Sequence, residues 1–175
     1  MKDLVFVIDM VNGFAKFGAM ADPNIAKIAP AIASQIRRSA GVHFICDAHG
    51  ERDLEMKRYP AHCIEGSPEA EIIDELAEFA TPQNTTKKRS TNGFYALDKA
   101  ILSEFDRFVI TGCCTDICVL QFALALRTYF NENDINKDIV VPSECVATYD
   151  APNHEREYYE KCALNLMRNA GILVI

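Results

Sequence analysis

The chain has 175 residues, 49% of them apolar, and 18 Lys and Arg against 25 Asp and Glu give a formal net charge of −7. That length and apolar content are enough for one substantial core, so residues 1–175 read as a single domain. The charge is dispersed, no basic, aromatic-laced face occurs, and the first apolar run is interrupted by Asp9, too soon for a signal h-region or a membrane span. Nucleic acid and membrane are thereby disfavoured as partners, and the expectation is a cytoplasmic protein. Seven cysteines, an odd number with three crowded at Cys113, Cys114 and Cys118, suit a reducing compartment better than a disulfide framework.

Short apolar runs alternate with helical periods along the chain. Leu4 to Ile8 reads as a strand, Asp22-Pro23 opens a helix as N-cap and first residue, and Gly41 closes it. Val42 to Cys46 is a second strand. Ser67-Pro68 starts another helix carrying Ile72, Ile73, Leu76 and Phe79. Phe108 to Ile110, Asp138 to Val141 and Ile172 to Val174 supply further strands. Runs apolar on both faces imply a parallel sheet covered by helices on each side, so the fold class is α/β, a three-layer α/β/α arrangement around a six-stranded, mainly parallel sheet. Ligands in such folds bind beyond the carboxyl ends of the strands. No GxGxxG or Walker-type sequence supports a nucleotide site.

The segment after Ile110 is the most informative. The apolar run stops at Gly112 and a helix pattern starts near Thr115, which puts Cys118 in a first helical turn, where free N–H groups and the macrodipole favour a thiolate. Asp9 and Asp47 follow the first and second strands, so carboxylates and a thiol converge on one rim. A nucleophilic thiol needs a base and nearby positive charge. Only His43, His49, His62 and His154 are available; His43 lies inside a strand, and His154 suits a turn or helix start. A carboxylate with a lysine is the alternative: Asp9, with Lys88 or Lys87 stabilising the charges.

A second constellation is CDAHGERDLEMKRYPAHC. Asp47 and His49 alternate at a strand exit and point the same way, and Tyr59-Pro60-Ala61-His62 returns a second imidazole. Mixed nitrogen and oxygen ligands suit a catalytic divalent metal, Zn²⁺ first, with Mn²⁺ or Fe²⁺ as alternatives.

Asp9 in VFVIDMVNGF, Lys88 in KKRSTNGF and Cys118 in TGCCTDICV resemble the Asp, Lys and Cys triad of the isochorismatase-like cysteine hydrolases, particularly the nicotinamidase branch, over Val5 to about Asp150. The basic segment ends N-G-F where that family commonly has S-A-F. The resemblance implies that Cys118 attacks an amide carbonyl, Asp9 carries the proton to departing ammonia and Lys88 stabilises the pair, releasing nicotinate from nicotinamide. It also implies a cis peptide between Cys113 and Cys114, an oxyanion hole from the backbone N–H of Cys114 and Cys118, and a metal on Asp47, His49 and His62. Glu55 takes the place where some nicotinamidases carry a glutamate ligand, with Glu51 and Asp53 as competitors. Phe14 and Tyr59 resemble pocket walls, and Ile117, beside the nucleophile, is a further wall. The family forms dimers or tetramers, which implies a homo-oligomer. The alternatives are a cysteine hydrolase of the same fold acting on another small amide or an isochorismate-type substrate, and, from another class, a thiol redox or metal-sensing protein using Cys113, Cys114 and Cys118, since a C-x-x-x-C is present.

Overall fold

The computed structural model describes residues 1–175. Seven parallel strands form the sheet: β1 (Asp3–Ile8), β2 (Gly41–Asp47), β3 (Thr85–Lys88), β4 (Arg107–Cys113), β5 (Asp138–Val141), β6 (Val146–Ala147) and β7 (Leu173–Val174). Six of them lie in the order β3-β2-β1-β4-β5-β7, and the two-residue β6 pairs beside the carboxyl end of β4. The expected six-stranded parallel sheet therefore gains one short strand.

Alternation within β1 explains the layers. Leu4, Phe6 and Ile8 belong to a core cluster with Phe122, Leu126 and Phe130 of α4 (Leu120–Glu132) and Ala163, Leu164 and Met167 of α5 (Arg156–Asn169). Val5 and Val7 pack on the other face with Ile32, Ala33 and Ile36 of α2 (Ala29–Arg37). Burying both faces of the central strand is what forces its continuous apolar run.

Three local expectations differ from the structure. The helix expected from Asp22-Pro23 begins as a 3₁₀ turn, Ile25–Ile28, and becomes α-helical only at Ala29; Asp22 instead accepts the Asn24 N–H at 2.9 Å, and Gly41 opens β2. The Ser67-Pro68 helix is broken into a 3₁₀ turn, Pro68–Ala70, and a single turn, α3 (Asp74–Ala77), by extended backbone at Glu71 and Ile73. The chain after β1 causes this break: Asn12 N–H donates to Glu71 O at 2.9 Å and Ile73 N–H to Met10 O at 3.1 Å, so tertiary pairing overrides the helical period. Asn12 starts a one-turn helix, α1 (Asn12–Ala15). The third difference is at Thr115–Val119, which is a π-helical turn, so α4 starts only at Leu120.

The strand order reverses between β1 and β4. The crevice beyond their carboxyl ends is the topological switch point. The two backbones touch there: a Cβ on Gly112, which has φ +110°, would lie 1.9 Å from Ile8 O. Only glycine fits.

Candidate active site and metal centre

Asp9 directly follows β1 with φ 53°, a left-handed conformation that aspartate tolerates better than most residues. Its N–H donates to Ile45 O at 2.8 Å and its carbonyl accepts from the Cys113 thiol at 3.1 Å, which fixes the turn. Its carboxylate Oδ1 accepts the Asp47 N–H at 2.9 Å, and Oδ2 lies 2.8 Å from Lys88 Nζ. Lys88, the last residue of β3, is 1% exposed; its ammonium also pairs with Asp47 Oδ1 at 2.5 Å and stands 3.9 Å from Cys118 Sγ. Asp9, Lys88 and Cys118 thus converge from three elements, and neighbouring Lys87 points outward to Glu65.

Burial is the largest influence on each of these groups. It raises the Asp9 carboxyl to about 6, with the Asp47 charge adding and Lys88 opposing. Asp47 stays well below the usual carboxylate range, since Lys88 and the hydrogen bonds of His49, His62 and Lys88 outweigh its burial. Lys88 rises well above its ordinary value, because Asp9, Cys118 and Asp47 overcome burial. The Cys118 thiol is also pushed well up by burial, against the pull of Lys88. The expected first α-helical turn is instead the π-turn before α4, and burial there works against a thiolate at Cys118. Such a thiol needs an acceptor for its proton, and the raised, adjacent Asp9 is one. The Cys113–Cys114 peptide is cis.

The second cluster adjoins the first through Asp47. One ligand atom from each of Asp47, His49 and His62 lies within 4.8 Å of the others. His49 Nε2 is 3.4 Å from Asp47 Oδ1, and His62 Nε2 is 3.7 Å from Asp47 Oδ2. His62 Nδ1 donates to Pro60 O at 2.7 Å, which turns Nε2 towards the cluster. Both ring nitrogens of His49 are buried without a hydrogen-bond partner; a metal ion would give Nε2 one, and Nδ1 faces Asp53. Glu55 Oε2 lies 3.8 Å from His49 Nε2, and Oε1 is held by the Thr91 N–H at 2.8 Å. Asp53 lies on the opposite side of that ring, 3.4 Å from Nδ1, clamped by Arg89 and the Gly50 N–H. Glu51 is exposed.

A cavity of about 750 Å³ opens over both clusters. Cys114, Cys118, Asp47, Glu55 and His62 form its floor, while Asp9, Lys88 and His49 lie beneath the surface. Phe14, Tyr59 and Ile117 all line it, with the Phe14 ring 5.5 Å from that of His62. Thr91, Tyr149 and Arg156 line it too and escaped the sequence reading, because they lie in polar segments without a periodic pattern.

A buried Cys, Asp and Lys group at the switch point of a parallel α/β sheet, beside an Asp and His cluster, is an arrangement chemically able to carry out hydrolysis through a nucleophile. The isochorismatase domain model matches residues 3–174, and the chain belongs to the isochorismatase-like hydrolase family. It is 30% identical over 172 residues to nicotinamidase 1 of Arabidopsis thaliana, covering 85% of this chain and 70% of that protein. N-carbamoylsarcosine amidase of Thermoplasma acidophilum superposes with a TM-score of 0.76 at 27% identity, over 99% of this chain and 95% of that one. Pyrazinamidase of Pyrococcus horikoshii, in complex with zinc, has a TM-score of 0.78 at 23% identity, covering 100% and 99%. No helix is long and apolar enough to cross a membrane, and all seven cysteines are free.

Proposed function

We propose that the protein is a metal-containing amidase that converts nicotinamide to nicotinate and ammonia. The observation that carries this reading is the placement of Cys118 Sγ 3.9 Å from a buried Lys88 that is paired with Asp9, on the floor of a cavity shared with the Asp47 cluster.

Asp9 takes the Cys118 proton as sulfur bonds to the carboxamide carbon. The N–H groups of Cys114 and Cys118 receive the oxyanion, and such donors are each worth roughly 3 kcal/mol of transition-state stabilisation. Lys88 holds the ionised intermediates. Collapse breaks the C–N bond, Asp9 gives its proton to departing ammonia, and a thioester remains. Water then attacks the thioester; its proton passes through Asp9 back to sulfur, restoring the thiol and releasing the acid. Asp47, His49 and His62, with Glu55 beside them, would hold the metal, a nitrogen and oxygen set that zinc fits and that would give the buried His49 Nε2 a partner. Such an ion would supply Lewis-acid chemistry beside the carboxamide. Phe14, Tyr59 and Ile117 flank the ring.

Asp22, Asn24, Asp150 and Arg156 also line the cavity, which supports a second reading, an amidase for a small amide with a polar tail. Ammonia release from nicotinamide and from a small panel of amides, by wild type and Cys118→Ala, tests both. Loss of turnover in Cys118→Ala is expected; turnover unaffected by the substitution would overturn the mechanism.

A further inference from the structure

His154, outside both clusters, sits behind the turn that carries Cys118. Its Nε2 is 2.7 Å from Asp116 Oδ2, and its Nδ1 is 3.1 Å from the backbone oxygen of Tyr149. Asp116 belongs to the π-turn of Cys118, and Tyr149 lines the cavity. The imidazole is only 8% exposed and lies flat between two phenol rings, Tyr149 at 3.9 Å and 8° and Tyr159 at 4.0 Å and 12°. One buried side chain therefore ties the nucleophile's turn to a wall of the pocket.

Both atoms that face the ring nitrogens can only accept hydrogen bonds. A neutral imidazole has one N–H, so the ring satisfies both partners only as the imidazolium, a form the two tyrosine faces also favour. The charged and titratable groups around it are Asp116 from the turn, Tyr149 and Asp150 from the segment after β6, and Arg156, Tyr159 and Glu160 from α5. Arg156 is committed elsewhere, to Thr148 O at 3.0 Å and Asp22 at 2.7 Å. Glu160 is raised by burial, with Asp116 adding to the effect. Asp116 Oδ1 also accepts from Thr148 Oγ1 at 2.5 Å, so the carboxylate is held at both oxygens.

We propose that His154 is a positioning residue which, as the imidazolium, locks the Cys118 turn to the Tyr149 wall and so shapes the substrate pocket. On losing a proton the ring keeps Nε2–H on the Asp116 carboxylate and presents a lone pair to Tyr149 O, which releases the wall. Substrate binding then weakens as pH rises, while the turn keeps its Asp116 bond.

The test has two arms, and only the kinetic one rests on the nicotinamidase reading. Nitrogen-15 NMR of the histidine rings, with His154 assigned from the His154→Gln spectrum, reads protonation without any substrate. Protons on both ring nitrogens at pH 7, with the Nδ1 proton leaving first as pH rises, are expected. In the second arm, KM for nicotinamide in the wild type rises as that proton leaves, and His154→Gln shows a KM raised at least fivefold at pH 7 and flat across the same range. A bare ring nitrogen at pH 7, or a His154→Gln variant with wild-type KM and pH profile, would overturn the proposal. If His154→Gln does not fold, the remaining histidine variants assign the wild-type spectrum by elimination and the NMR arm decides alone.

Discussion

Lys88 and Asp47 form a buried ion pair, Nζ to Oδ1 2.5 Å, that joins the Asp9 and Cys118 group to the Asp47, His49 and His62 cluster. Each charge would be costly alone in this position, and the pairing with Asp9 as well leaves one ammonium between two carboxylates. Asp47 is therefore shared: Oδ1 serves Lys88 and lies near His49, while Oδ2 faces His62.

The acid limb of activity follows from Asp9. Its carboxyl is raised to about 6, so above that pH it is ionised and able to accept the thiol proton, and below it the acceptor is filled. Cys118 alkylation by iodoacetamide, followed in chelator-treated protein, should fall about tenfold per pH unit below about 6. Asp47→Asn removes a charge that raises Asp9, and the limb should move to lower pH; a limb that stays in place would remove Asp47 from this role.

Asp9→Asn should lower kcat by about 10²-fold or more, since the amide cannot carry the proton. Metal content should be unchanged, because the Asp9 oxygens are directed to Asp47 N–H and Lys88 rather than to the imidazoles. Elemental analysis beside a steady-state assay checks both points, and a concurrent loss of metal would mean that Asp9 belongs to the other cluster.

Glu55 and Asp53 approach His49 from opposite sides, so their variants should separate. Glu55→Gln removes charge on the Nε2 side and should weaken metal retention by more than the roughly 10–100-fold usual for an outer-shell group. Asp53→Asn acts only through Nδ1 and should stay within that range. Equilibrium dialysis against zinc gives the order directly, and the reverse order would exchange the two assignments.

Gly93→Ala tests the N-G-F segment. A Cβ at Gly93 would lie 2.4 Å from Ile45 Cγ2 and 3.1 Å from Lys88 Cδ, so the S-A-F form common in the family does not fit beside this isoleucine. Overpacking of this kind costs about 2 kcal/mol, which for a chain of this size lowers Tm by roughly 6 °C. Calorimetry should show that fall, together with reduced kcat from a displaced Lys88; an unchanged Tm would mean that Ile45 moves freely.

The strands buried on both faces were legible because burial demands continuous apolar runs, as in Leu4 to Ile8. β3 was not: it reads Thr-Thr-Lys-Lys, an edge strand held by its backbone pairing with β2. The helix read from Ser67 failed because its apolar spacing serves contacts with Met10 and Asn12 instead. At the candidate site, strand-end position and spacing pointed to Asp9, Cys118, Asp47, His49 and His62, while Lys88 was separated from Lys87 only by the family resemblance. The burial that pushes the Cys118 thiol up comes from enclosure by distant elements, which residue order does not express. Tyr149 and the role of His154 were hidden for the same reason.

The two lysines that end β3 have opposite surroundings, since successive side chains leave a strand on opposite faces. Lys87 is in solvent beside Glu65, and Lys88 is sealed below Cys118. Amine-directed acylation of the folded protein should therefore mark one and spare its neighbour. Chemical modification that silences many lysine-dependent enzymes would leave this centre intact until the chain unfolds.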